Sequence, residues 1–160
     1  MAPSTDTFRM GRTEFVALMA MMMASIALSI DAMLPAMPQI AAELTPEAPH
    51  NAPLILSMFI LGMGLGTFFT GPLSDTFGRK RVILVSSSLY ILGAALAWLG
   101  QSLELVLAAR VLQGLGAAGP RVVAVAVIRD RFAGRQMAQV VSIVMMIFTI
   151  VPAFAPLLGS

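Results

Sequence analysis

Asp31, Arg110, Gln113 and Arg121 are charged or amide side chains that lie inside otherwise apolar stretches of this sequence. An ionisable group in hydrocarbon costs at least about 2.5–3.5 kcal/mol, so it is normally paired, faces water or moves charge. A carboxylate withdrawn from water holds a proton more readily, and a nearby cation reverses that effect. A carboxylate such as Asp31 could therefore bind and release protons as its access and pairing change. The alternative for Asp31 is structural: it precedes Pro35 and Pro38, where a carboxylate caps free backbone donors at a helix end. Metal chemistry has little to work with, since the chain has no cysteine and only one histidine, His50, and shows no His/Glu cluster with ligand spacing. No nucleophile and base constellation points to an enzyme, and no Gly-rich loop ending in Gly-Lys-Ser/Thr supports ATP-driven work. No cofactor is implied; protons would be the coupling ion.

These residues must be held by long apolar helices. The chain of 160 residues is 58% hydrophobic and 11% charged, against about a quarter charged in ordinary soluble domains. So few charges cannot cover a water-exposed surface, so the solvent is the lipid bilayer and the fold is all-α. A hydrocarbon core of about 30 Å needs roughly 20 apolar residues in a helix. Stretches of that length run over residues 15–37, 52–70, 82–100, 103–128 and 137–159. Residues 1–14 form a tail, and nothing reads as a separate soluble domain. The first stretch is not a cleaved signal peptide: its apolar core is too long, and Asp31 and two prolines stand where small residues would be needed.

Charge is sorted by side. Arg9 and Arg12 precede the first stretch, Arg79, Lys80 and Arg81 follow the second, and Arg129, Arg131 and Arg135 follow the fourth, so eight of the ten basic residues share one face. The loops on the opposite side, residues 41–51 and 101–102, contain no lysine or arginine. The positive-inside rule makes the basic face, and with it the N-terminus, cytoplasmic in a multi-pass cell or inner membrane protein. This distribution also explains the net charge of +2 without a nucleic-acid partner. An odd number of spans, the last ending inside an apolar run, predicts that further helices belong to the working protein.

Small residues recur where helices must approach: Gly62, Gly64 and Gly66 in the second stretch, then Gly114, Gly116, Ala117, Ala118 and Gly119 in the fourth. Lipid gives helices no hydrophobic reason to associate, so close backbone packing supplies much of the contact energy. The thirteen methionines include Met19, Met21, Met22, Met23, Met33 and Met37 in the first stretch. Flexible thioethers suit either a promiscuous binding surface or ordinary packing.

The segment Gly71-Pro72-Leu73-Ser74-Asp75-Thr76-Phe77-Gly78-Arg79-Lys80-Arg81 reads as the loop between the second and third spans. Gly78 allows a positive φ, Asp75 can pair with an arginine, and the basic trio sits at the headgroups. Its order, G-x-L-x-D-x-x-G-R-K, resembles the signature loop of the major facilitator superfamily, departing mainly at Thr76, where a basic residue is usual. Residues 107–118, with Arg110 before Gln113-Gly114-Leu115-Gly116, resemble the superfamily's fourth-helix motif. The run Asp31-Ala32-Met33-Leu34-Pro35-Ala36-Met37-Pro38 is similar to the end of the first helix in its drug:proton antiporters, especially the Bcr/CflA group. Ala155-Pro156-Leu157-Leu158-Gly159 resembles the fifth-helix antiporter motif, with alanine for the usual first glycine and serine for the second of the final pair.

The resemblance implies twelve helices in two halves, with substrate and proton sites at the midplane between them. This chain would supply helices one to five and would need a second half as partner. The gating-loop residues would be Gly71, Asp75, Gly78, Arg79 and Lys80, with Gly114, Gly116, Pro156 and Gly159 at helix contacts. Asp31, about 24 Å up the first helix, and Arg110, about 10 Å below the outer surface, come out at similar depth, and the family places both helices on the cavity wall. They are expected to share one electrostatic environment. Arg121 returns to nearly the face of Arg110, where it either lines the inner cavity mouth or snorkels to the headgroups; Pro120 should loosen the helix beside it. The implied function is proton-coupled export of small amphipathic compounds. A sugar or metabolite porter of the same fold, and an inactive membrane fragment or scaffold, are the alternatives.

Overall fold

A computed structural model describes residues 11–31, 33–35, 37–44 and 49–158, without the side chains at 12, 49 and 151–158. Six α-helices make up the described chain: α1 (Arg12–Asp31), α2 (Met37–Leu44), α3 (Leu54–Phe77), α4 (Arg79–Leu99), α5 (Leu103–Arg131) and α6 (Gly134–Leu158). A short 3₁₀ turn, Pro49–Asn51, precedes α3. Four segments are long and apolar enough to cross a membrane: Thr13–Asp31, Pro53–Phe77, Arg79–Leu99 and Leu103–Arg131; Gly134–Ile150 is a shorter apolar stretch within α6.

Two expected boundaries are corrected. The first apolar stretch is not one helix to residue 37, because α1 stops at Asp31 and the amphipathic α2 begins at Met37. Pro35 lies in this break: it has no N–H to give the Asp31 carbonyl, and it disfavours the α region at Leu34 before it. The segment read as a loop from Gly71 is instead helical through Phe77, and the whole connection to α4 is Gly78 at φ 90° and ψ 146°. Pro72 lies inside α3, which is tolerated in membrane helices when neighbours satisfy the freed carbonyls. Gly78 is required by its positive φ, which side chains with a Cβ rarely adopt.

α5 is the centre of the bundle. Ser102 caps its start by accepting the Leu105 N–H at 3.4 Å, and Arg129 and Arg131 in its last turn complement the helix dipole. Its small residues seat α3 on one side and α4 on the other. A methyl on Gly114 would collide with the Phe59 carbonyl, and one on Gly116 with the Tyr90 backbone. A Cβ at Gly66 would stand 2.8 Å from Ala118 Cβ, and one at Gly93 would stand 2.6 Å from Gln113 N. Gly64 is different: nothing lies within 4 Å of its would-be Cβ, so it is not a contact glycine.

α1 packs on α6 and α5 through Phe15, Met19, Ala20 and Met23 against Ala124, Ile128, Val140 and Val144. The Arg131 guanidinium stands 4.9 Å over the Phe15 ring, adding a cation–π contact at that end of the bundle. Met19, Met23 and Met33 are core residues, whereas Met21 is 70% exposed. Outward-facing Phe68, Val85 and Trp98 leave an apolar exterior suited to lipid. Hydroxyls of Thr67, Thr70, Ser86 and Ser88 bond carbonyls of their own helices, which removes the cost of a free polar group in hydrocarbon.

Candidate functional site

Arg110 lies two turns into α5. Its Nη1 donates to Gln113 Oε1 at 2.9 Å, one turn along the same helix. Gln113 is 4% exposed and pressed against Gly93 of α4. The Nε of Arg110 is buried and has no hydrogen-bond partner among the described residues. A guanidinium carries five N–H donors in a planar fork, so this one is only partly satisfied. It lines a cleft of about 380 Å³ together with Glu43 of α2, Trp98 of α4 and Gln113.

Among the described residues no direct ion pair joins Arg110 to Asp31, the two residues expected to share one electrostatic environment. A hydroxyl link is found instead. Tyr90 of α4 shares a short hydrogen bond with Ser29 of α1, two residues before Asp31. Ser29 also donates to the Ser25 carbonyl at 2.7 Å. A polar link thus crosses from α1 to α4. Sequence reasoning missed both hydroxyl residues; the signal was a single tyrosine in an apolar span.

At the opposite end of α5, Arg79 Nη2 stands 2.9 Å from Asp75 Oδ1 and 3.0 Å from Asp130 Oδ2, and its Nη1 makes a short hydrogen bond to the buried Ser74 hydroxyl. One guanidinium therefore ties the last turn of α3, the Gly78 turn and the last turn of α5. Asp130 was not singled out from sequence, although it is the one carboxylate set among Arg129, Arg131 and Arg135. Lys80 is exposed and outside this tie, and Gly71 lines the adjoining cleft.

That cleft, about 430 Å³, also takes Arg121, with Asp75, Arg79 and Arg129 on its wall. Arg121 and Arg110 rise from one stripe of α5 but open into different clefts, the first beside α3 and the second beside α4 and α2. Long side chains swing to either side of a shared stripe. Pro156 lies in the last turns of α6 with its side chain outside the described residues, and Gly159 is outside them altogether.

The family model for the major facilitator superfamily matches residues 15–160. The chain belongs to the major facilitator superfamily. It is therefore a multi-pass membrane protein of a transporter family. It is 38% identical over 130 residues to the multidrug resistance protein MdtL of Shigella flexneri, covering 81% of this chain and 33% of that protein. The match to MdtL of Escherichia coli K12 is 37% over 130 residues, with the same coverage. The MFS-type transporter YdgK of Bacillus subtilis is 34% identical over 133 residues, 83% of this chain and 33% of that protein. The chain thus spans 33% of the length of these curated relatives. No solved structure matches it. Among the described residues, no three His, Cys, Asp or Glu side chains group as metal ligands.

Proposed function

We propose that this chain forms most of one helical half of an exporter that exchanges small amphipathic compounds for protons across the cell membrane, with its N-terminus in the cytoplasm. The observation that carries the reading is Arg110: a guanidinium inside a membrane helix, held among the described residues by Gln113 alone, with its Nε buried and without a hydrogen-bond partner there. A charge kept incompletely paired in a low-dielectric site responds strongly to any carboxylate or ligand that approaches. Asp31 ends α1, two residues beyond the Ser29 that bonds Tyr90, and it is the carboxylate to which this reading assigns the coupled proton. The drug specificity rests on the printed name of the MdtL relatives and on the Asp31 to Pro38 run.

Alternating access needs one half to rock against another, so a second helical half is required as partner, and the small-molecule site lies between them. Arg79 with Asp75 and Asp130 is then the tie that keeps α3 and α5 moving as one body at the basic face. The test is reconstitution in vesicles carrying a proton gradient. The chain alone should show no proton-driven flux of a cationic dye, and co-reconstitution with the remaining helices of the transporter should restore it. Sustained flux by the chain alone would overturn this division of labour.

A further inference from the structure

α3 and α4 are joined by the single residue Gly78, yet each packs mainly on α5 rather than on the other. They diverge to leave a groove of about 410 Å³ on the outside of the bundle. Phe69, Leu73 and Phe77 of α3 and Val85 and Leu89 of α4 form its walls, with Arg81 near the turn. Thr70 and Ser86 also face it, but their hydroxyls are given to the Gly66 and Val82 carbonyls, so the lining offers almost nothing to a polar ligand. From Gly66 to Phe77 the groove follows α3 for about 16 Å at the helical rise of ~1.5 Å per residue, roughly half of a ~30 Å hydrocarbon core. That is the depth of one leaflet.

The charge at the shallow end is equally one-sided. Arg79 is occupied by Asp75, Asp130 and Ser74. Lys80 and Arg81 are exposed, and among the described residues no carboxylate forms an ion pair with either. A long apolar slot of leaflet depth, ending at Arg81 with Lys80 next to it in the chain, matches one ligand chemistry. We infer that the groove binds an anionic phospholipid, with an acyl chain between α3 and α4 and the phosphate held by Arg81, Lys80 adding charge beside it. A guanidinium is the better phosphate ligand of the two because its planar fork makes paired hydrogen bonds. A zwitterionic lipid brings the same phosphate with its own ammonium, which offsets the attraction, so the site discriminates by net headgroup charge.

The experiment is native mass spectrometry of the full chain released from detergent carrying equimolar phosphatidylglycerol and phosphatidylethanolamine. Phosphatidylglycerol should be retained in preference. Arg81→Ala should lower its retention about fivefold, the effect of one basic residue at an anionic surface, and leave phosphatidylethanolamine unchanged. Val85→Trp, which fills the groove and keeps the charge, should lower retention of both lipids. Arg135→Ala, a charge lost at the same end but away from the groove, should alter neither. Equal losses from Arg81→Ala and Arg135→Ala would reduce the effect to bulk charge and overturn the site. Full retention by Val85→Trp, or no preference in the unaltered chain, would overturn it as well. Helicity by circular dichroism checks each variant; Arg81→Gln and Leu89→Phe replace any that unfolds.

Discussion

Arg79 and Asp130 lie 51 residues apart in the chain and 3.0 Å apart in space, joining the start of α4 to the end of α5. The Arg79 side chain is 27% exposed and that of Asp130 52% exposed, so solvent screens the pair, and a coupling of about 0.2–1 kcal/mol is expected. A double-mutant cycle with Arg79→Ala and Asp130→Ala, read by thermal unfolding in detergent, should give a value in that range that shrinks at high salt. Arg79→Lys should not restore it, because an ammonium lacks the fork that serves two carboxylates and Ser74 at once. Zero coupling would remove Arg79 from the ties between helices.

The glycines of α5 and α3 should separate into two groups. Gly114→Val and Gly116→Val force side chains into the Phe59 carbonyl and the Tyr90 backbone, where nothing flexible can yield. Each should destabilise the bundle by about 1–3 kcal/mol or more. Gly64→Ala meets open space and should be neutral, or stabilising by up to about 1 kcal/mol through helix propensity. Unfolding by sodium dodecyl sulfate distinguishes the groups, and equal losses at all three positions would contradict the packing.

Tyr90→Phe removes one hydroxyl from the Ser29 link and keeps the ring. Hydrogen bonds between membrane helices average about 0.6 kcal/mol, so the stability change should be small. Ser29→Ala should produce a similar loss, and the double variant no more than either alone. Additive losses in that cycle would mean that the two hydroxyls act separately.

Much of this architecture was legible in the residues, and where it was not, the reason is tertiary. The apolar runs had to be helices because lipid satisfies no backbone group, and Gly78 announced a positive φ. The Gly71-Pro72 pair, in contrast, signals a break in a water-soluble chain, yet α3 runs through it to Phe77, because membrane helices tolerate proline where neighbours cover the freed carbonyls. Asp31 and Arg110 were placed together by similar depth and by the family's placement of both helices on the cavity wall. Depth fixes height in the bilayer but not azimuth, and the actual neighbour of Arg110 on its own helix is Gln113. The Tyr90–Ser29 bond joins residues 61 apart, a pairing no local pattern encodes.

The proposed orientation rests on eight basic residues on one face and is checked at His50, which lies in the turn before α3 and is exposed. A cysteine replacing His50, in a chain with no other cysteine, should react with an impermeant maleimide in intact cells. Labelling only after permeabilisation would invert the topology.

The most direct measurement is proton release on drug binding by the complete transporter, together with uphill efflux, for the unaltered protein and for Asp31→Asn. Asparagine keeps the shape of the side chain and cannot ionise. If Asp31 carries the coupled proton, Asp31→Asn should release no proton on binding, lose uphill efflux by at least about tenfold, and still bind drug. Proton release and uphill efflux undiminished in Asp31→Asn would contradict proton coupling through this residue and leave Asp31 as a structural group at the end of α1.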